Sequence, residues 1–339
     1  MKWYIDSGKE GDVVISSRVR LARNLKGYPF THNLSDGALS EVLQKCREAA
    51  RPLGLQYLSV DAMPPINRQI LMERHIISPQ MLTAVRKRAV LLSEDEQISI
   101  LLGEEDHIRI QCMTAGFDLE KALELANKAD DALEESLDYG FSAQYGYATC
   151  CPTNTGTGMR ASCMLHLPAL TANGYIDTLL SAVGKVGLTV RGLYGEGTKA
   201  KGCMYQISNQ ITLGMSEEES LKRLSELVKM VIDKERRTRE GIKRERGDKL
   251  TDLVRRAYGI LQSAYLMTSD EAYKLLSDAR LGVATGILQG LPLEAVNELT
   301  ITTGPAHVAE AHGDVTAEHR DKLRAEIIRK KIAASGDSR

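Results

Sequence analysis

The stretch Gln97-Ile98-Ser99-Ile100-Leu101-Leu102-Gly103-Glu104-Glu105-Asp106-His107-Ile108-Arg109-Ile110-Gln111-Cys112-Met113 decides the fold class. Gln97 to Leu102 reads as a buried strand, Gly103 to Asp106 as an acidic turn, and His107 to Met113 as a second strand. In the second strand Ile108, Ile110 and Cys112 alternate with Arg109 and Gln111. One face is therefore apolar and the other carries Arg109. Two strands joined by so short a turn read as an antiparallel hairpin.

Working outward, Asp12 to Arg20 is a further strand on which Arg18 and Arg20, two apart, share a face. Ser35-Asp36 caps a helix predicted to run to about Arg51. Helical material is expected over roughly 65–92, with a new segment at Pro79. Asp118 to Leu137 is a long amphipathic helix, from the spacing of Leu119, Ala122, Leu123, Ala126, Ala129 and Leu133. The small, hydroxyl-rich run Cys150 to Ser162 reads as a loop, followed by a strand at Ala161 to Leu165. A helix from Pro168 to about Val183, a strand from Leu188 to Leu193, a glycine-rich turn and a strand from Met204 to Leu213 complete a mostly antiparallel sheet. Ser216 followed by three glutamates starts a strong helix. Lys234 to Lys249 holds eight basic and four acidic residues, which reads as a solvated face or a connection between domains. Beyond it the pattern is helical, with one short strand run at Thr300-Ile301-Thr302. The fold class is thus α+β: a mostly antiparallel sheet flanked by helices over 1–235, then an all-helical domain over 236–339.

Composition narrows the function classes. The chain has 339 residues, 43% hydrophobic and 26% charged, with a net charge of −1. No bulk field points to nucleic acid or a membrane surface, and neither is expected as a direct partner. No apolar leader follows Met1 and no run approaches a membrane span. Cysteines 46, 112, 150, 151, 163 and 203 form no Cys-x-x-Cys pair. Reduced thiols in the cytoplasm, with no disulfide framework and no resident metal site, are the expectation.

Arg18, Arg20, Arg109, Arg160 and Arg191 each fall on a polar strand face or a glycine-rich connection. Singly they read as surface ion pairs; together they suit a polyanion such as a nucleotide triphosphate. The chain lacks a phosphate-binding Gly-x-x-x-x-Gly-Lys loop and a protein-kinase catalytic-loop signature, so side chains would hold the phosphates. Glu104, Glu105, Asp106 and Glu196 lie on turns and suit an amine or guanidinium acceptor. A guanidinium must lose a proton to attack phosphorus, which at pH 7 costs roughly 8–9 kcal/mol. Carboxylates that align it and take the proton during attack spread that cost over the transition state.

Four ordered segments then resemble the ATP:guanido phosphotransferases, the phosphagen kinases. They are Ser16-Ser17-Arg18-Val19-Arg20, Glu104 to Arg109, Cys151-Pro152-Thr153-Asn154 through Arg160-Ala161-Ser162, and Arg191-Gly192 to Glu196. The resemblance implies the guanido-kinase, glutamine-synthetase-like catalytic fold, with MgATP as donor. It implies nucleotide contacts from Ser16, Ser17, Arg18, Val19, Arg20, His75, Arg109, Arg160, Ala161, Ser162, Cys163, Met164, Arg191, Gly192, Leu193, Tyr194, Gly195 and Glu196. Glu105 would be the catalytic base, Glu196 the second carboxylate on the guanidinium, and Cys151 the reactive thiol beside the acceptor.

Metabolite kinases of that family carry a helical domain of about a hundred residues before the first arginine motif, which here begins at residue 16. With its helical C-terminal extension the chain is similar instead to the protein-arginine kinase branch, and Arg320-Asp321-Lys322-Leu323-Arg324-Ala325 fits that branch's Arg-Asp-x-x-Arg-Ala motif. The resemblance implies phosphorylation of arginine side chains in proteins, including a stress-response repressor, as a mark for a Clp protease. It also implies an activator protein, a homodimer formed through the helical domain, and an allosteric phosphoarginine pocket at Arg320, Asp321 and Arg324. A metabolite arginine kinase, or a non-catalytic anion-binding adaptor, is the alternative reading of the same residues.

Overall fold

The computed structural model describes residues 2–83, 85–185, 187–192, 201–310, 313 and 316–336; at 180, 181, 185, 191 and 192 it describes backbone alone. The N-terminal part runs β1 (Val14–Arg23), α1 (Asp36–Ala49), β2 (Gln56–Ser59), α2 (Pro65–Glu73), β3 (Ala89–Leu92), β4 (Ile98–Leu102), β5 (Ile108–Ala115) and α3 (Leu119–Glu134). It continues through β6 (Phe141–Ser142), β7 (Gly146–Tyr147), β8 (Met159–His166), α4 (Pro168–Ala172), α5 (Ile176–Lys185), β9 (Leu188–Gly192) and β10 (Met204–Asn209). The remainder is helical: α6 (Glu217–Ser263), α7 (Ser269–Ala284), α8 (Leu293–Thr302), α9 (Pro305–Glu310) and α10 (Ala317–Gly336).

Eight strands form one antiparallel sheet in the order β2-β3-β4-β5-β1-β8-β10-β9. The β4–β5 hairpin pairs Ile100 with Ile110 and Leu102 with Ile108 around the acidic turn. Period-two alternation sends Val19, Leu21, Ile108, Ile110, Ala161 and Cys163 into one large core, all without exposure. Helices α1, α3 and α6 cover that face. The opposite face is polar along the three central strands.

Local signals explain the helix starts. Ser35 and Asp118 accept the backbone N–H groups of Ala38 and Lys121, and Ser216 forms a reciprocal capping box with Glu219. Helix α6 spans the basic stretch but is kinked at Arg246, whose backbone is not helical (φ −139°, ψ 35°).

Four segments depart from the sequence reading. Helix over 65–92 is limited to α2 and a short 3-10 turn at Pro79–Leu82, and Ala89–Leu92 is a central strand. A four-residue apolar run has no diagnostic period, and pairing with β2 and β4 decides it. Thr300-Ile301-Thr302 ends α8 instead of forming a strand. The β-branched run is accommodated because Thr300 and Thr302 return their hydroxyls to Val296 O and Glu298 O. The loop expected to reach Ser162 ends at Gly158, so Arg160 and Ser162 sit on β8. Finally, the helix from Pro168 breaks at Asn173-Gly174, where Gly174 takes φ +69°.

Candidate active site

Strand register builds the site. Arg20 on β1 lies opposite Gln111 on β5 and Arg160 on β8, while Arg18 lies opposite Met113 and Ser162. Directly opposed residues share a face, so three guanidinium groups and a hydroxyl crowd one patch of the sheet. Ser16 faces Met164, which faces Gln206, which faces Arg191, so Arg191 occupies the same face by register. Its side chain lies outside the described residues. Like charges placed side by side repel, and the effect falls on Arg20. Burial pushes its guanidinium well below the usual range, and Arg18, Arg109 and Arg160 push it further. Such a patch is built for an anion.

A cavity of about 490 Å³ opens on this face. Arg18, Arg20, Arg109 and Ser162 give its lining a basic part, and Trp3, Met72, Met113 and Ile301 an apolar part, the two meeting where Arg18 faces Met113. His75 stands between them. It follows α2 in the left-handed region (φ +58°), its carbonyl accepts from Gln111 Nε2 at 2.7 Å, and its ring centroid lies 6.3 Å from that of Trp3. Burial, then Arg18, pushes its imidazole down to about 4, so the ring is neutral at physiological pH.

A second cavity of about 170 Å³ is lined by Arg20, Glu105, Arg109, Cys151, Thr153, Asn154 and Arg160. Arg20 and Arg109 belong to both cavities. Arg109 also bridges the two turn acids, binding Glu104 Oε2 closely and Glu105 Oε2 at 3.1 Å. The acids differ sharply in freedom. The Glu104 side chain is 0% exposed and also accepts from Ser78 Oγ, whereas that of Glu105 is 27% exposed and opens on the second cavity.

The acid turn and the cysteine loop are bolted together. Asp106 is fully buried and its Oδ1 accepts from Asn24 Nδ2 and from Cys150 N, each at 2.7 Å. Burial raises the Asp106 carboxyl above its usual range. The same Asn24 accepts from His107 N and donates to Ala148 O. On the loop, Cys151 Sγ lies 3.0 Å from Thr153 Oγ1, to which Arg160 Nη2 donates at 3.4 Å. Gly156 (φ +113°) allows close approach: a Cβ there would meet Thr212 O at 2.2 Å. Thr212 in turn holds Thr153 O and Thr155 O.

The structure thus brings Ser16, Arg18, Arg20, His75, Glu105, Arg109, Cys151, Arg160, Ser162 and Met164 to these two cavities. Ser17, Val19, Ala161 and Cys163 point their side chains to the core face; Ser17 is spent on Gly116 O and Asp118 N. Leu193, Tyr194, Gly195 and Glu196 lie outside the described residues, and Gly192 ends β9. At the far end of the chain, Arg324 is 2% exposed and donates to Thr303 O and Met267 O while pairing with Asp321 at 2.6 Å. Arg320 is half-buried.

Sequence reasoning missed Asp106 as a bolt, Gln111 as the support of His75, and the walls given by Trp3 and Ile301. Only Trp3, the single tryptophan, carried any signal. Among the described residues no cluster of three His, Cys, Asp or Glu side chains is placed to hold a metal ion, and no helix is long and apolar enough to cross a membrane.

Comparison with known proteins places this geometry. Residues 38–238 match the ATP:guanido phosphotransferase C-terminal catalytic domain, and residues 247–339 the protein-arginine kinase McsB C-terminal domain. A protein-arginine kinase of Desulforamulus reducens is 46% identical, covering 98% of this chain and 95% of its own. One from Pelotomaculum thermopropionicum is 45% identical with the same coverage. Among solved structures, lombricine kinase superposes with a TM-score of 0.60 at 26% identity, covering 70% of this chain and 71% of its own. The duplicated taurocyamine kinase of Schistosoma mansoni, with bound transition state analog components, gives 0.60 at 29% identity. That match covers 66% of this chain and a third, 33%, of the duplicated one.

Proposed function

Since the chain belongs to the ATP:guanido phosphotransferase family and, within it, to the protein-arginine kinases, we propose that the larger cavity takes ATP and the smaller one a protein arginine side chain. One observation carries this reading. Arg20 and Arg109 line both cavities, setting a basic phosphate-type pocket end to end with an acid- and thiol-lined one.

Arg18, Arg20, Arg109, Arg160 and Arg191 clasp the phosphates, and His75 lies against the nucleoside. Glu105 is the base, because Glu104 is buried and spent on Arg109 and Ser78. In the transfer, the acceptor guanidinium gives one proton to Glu105 and its nitrogen forms the N–P bond. The bond from Pγ to the β–γ bridging oxygen breaks, and ADP leaves with the electron pair. Glu196 holds the other edge of the guanidinium, and Cys151 abuts it. Mg²⁺ arrives as part of the nucleotide: arginines dominate the basic part of the lining, and Mg²⁺ readily keeps phosphate oxygens and waters as ligands. It would neutralise charge on the phosphates as they separate.

The product phosphoarginine marks proteins, a stress-response repressor among them, for a Clp protease, with an activator protein assisting. The protein works in the cytoplasm as a homodimer joined through its helical domain, 236–339. For the Arg320-Asp321-Arg324 motif as a phosphoarginine pocket, the buried donors of Arg324 supply a frame, and half-buried Arg320 is the arm that reaches a ligand.

The test is incubation with MgATP, an arginine-rich protein and free arginine together, followed by mass spectrometry under neutral conditions. Acid-labile phosphoarginine on the protein is expected, and modification of free arginine alone would favour the metabolite-kinase alternative. Glu105→Gln is expected to lower transfer about 10²–10⁴-fold with ATP binding retained; full activity would remove Glu105 as the base.

A further inference from the structure

The larger cavity is not closed by the sheet and α2 alone. It is also lined by Trp3 and Tyr4 near the N-terminus, by Asn297, Thr300 and Ile301 of α8, and by Met204, Gln206 and Tyr273. Ile301 packs against a small cluster of Trp3, Tyr4 and Met113, separate from the main core. Trp3 is the residue nearest the His75 ring among its aromatic contacts. The arginines stand on β1 and β5: Arg18 faces Met113 of that cluster, and Arg20 and Arg109 lie further along the sheet.

Two independent sets of bonds hold this wall in place. Asn297 Nδ2 donates to Ile5 O at 3.3 Å and Asp6 O at 3.2 Å, and its Oδ1 accepts from Arg280, which is 2% exposed and also donates to Gly11 O at 2.5 Å. On the other side Glu73, two residues before His75, accepts from Ala306 N at 2.8 Å, His307 N at 3.1 Å and His307 Nδ1 at 2.6 Å. The segment that presents His75 is therefore tied directly to α9, and the segment that presents Trp3 directly to α8. A triphosphate is satisfied by cations, whereas a purine needs flat apolar surface on both faces. Among the described lining residues, α8 with Trp3 and His75 offers such surface, beside Met72, Ile77 and Tyr273.

We propose that α8 of the helical C-terminal region is the base-side wall of the nucleotide site. Ile301, with Trp3 and His75, bounds the place of the purine, so the helical region sets affinity for the nucleoside and the arginine patch sets affinity for the phosphates. This rests on the larger cavity being the nucleotide site.

Binding is measured calorimetrically on the full chain with MgATP and, separately, with inorganic tripolyphosphate, and Trp3 emission is followed in both titrations. ATP shifts the emission of the single tryptophan and tripolyphosphate does not. Ile301→Ala weakens ATP by about tenfold, the scale of a lost apolar contact in a pocket, and leaves tripolyphosphate unchanged. Thr300→Phe, which adds bulk to the same wall without emptying a core, gives the same selective loss. Both variants binding ATP like the wild type, or losing ATP and tripolyphosphate in parallel, overturns the inference while leaving the nucleotide reading standing. A wild-type protein that binds neither ligand overturns both.

Discussion

Arg20→Gln is expected to make the nucleotide-free protein more stable and the nucleotide-loaded protein less so. Arg20 is half-buried with Arg18, Arg109 and Arg160 as like-charged neighbours, and Glu104 is the only opposing charge among the named influences on it. Residues directly opposite on neighbouring strands start about 5 Å apart. Like charges about 6 Å apart repel by roughly 3 kcal/mol at an effective dielectric near 20. Attraction to Glu104 and screening by solvent and salt offset most of the three repulsions, leaving about 1–2 kcal/mol released when Arg20 is neutralised. A gain of that size raises Tm by about 2–4 °C. In saturating ATP the order reverses. Wild-type protein gains about 3 kcal/mol at a hundredfold excess over Kd, while the variant, lacking a central phosphate contact, gains much less. Thermal unfolding at low ionic strength, with and without MgATP, reads both terms, and the two proteins should exchange rank on adding nucleotide. A variant less stable than wild type in both conditions refutes the reasoning, because Arg20 would then be a satisfied structural cation and not a repelled one awaiting an anion.

Asp106→Ala leaves Cys150 N without its acceptor, at about 1–3 kcal/mol, and removes one of the two acceptors of Asn24 Nδ2. It should lower kcat while leaving KM for ATP near wild type, because it separates Glu105 from the Cys151 loop without touching the larger cavity; an equal rise in KM for ATP would count against that division. His75 titrates near 4 in the folded protein against about 6.5 unfolded. The unfolded chain therefore takes the proton first, and stability falls as pH drops from about 6.5 toward 4. His75→Asn, which tolerates the left-handed backbone, should lose less stability between pH 7 and 5 in urea unfolding; identical losses would show that His75 is not held neutral.

The hairpin was legible because Ile108, Ile110 and Cys112 alternate cleanly against Arg109 and Gln111, and because the partner strand is apolar except at Ser99. The shared face of Arg18 and Arg20 followed from spacing alone. Which strand would bring Arg160 opposite Arg20 did not, since β1 and β8 are separated by more than 130 residues. Ala89–Leu92 was read as helix because four apolar residues have no period and their partners are nonlocal. Asp106 was grouped with two other turn acids, yet burial and two N–H donors give it a different task from either neighbour. The wall at Ile301 was invisible for a related reason. Its β-branched neighbours signal a strand, and only packing against Trp3 near the other end of the chain makes it helix and lining at once.

Phosphoryl transfer depends mainly on positioning and charge neutralisation, and this fold assigns those tasks to its stiffest parts. The arginines proposed to hold the phosphates sit on the central strands β1, β5 and β8, whose other face is the main core. The proposed base projects from the turn of a hairpin closed by Gly103 N to His107 O at 3.0 Å. Arg109, near the start of β5, joins base to phosphate patch through contacts to both turn acids. Pairing Arg109 with buried Glu104 leaves its remaining charge shared between Glu105 and the anion. In the proposed transfer, once Glu105 had taken the acceptor's proton the Arg109–Glu105 attraction would weaken and Arg109 would be freed to stabilise the departing charge. The two events favour one another electrostatically, which is why one arginine between two carboxylates, one locked and one open, serves this reaction better than a lone base beside a separate phosphate clamp.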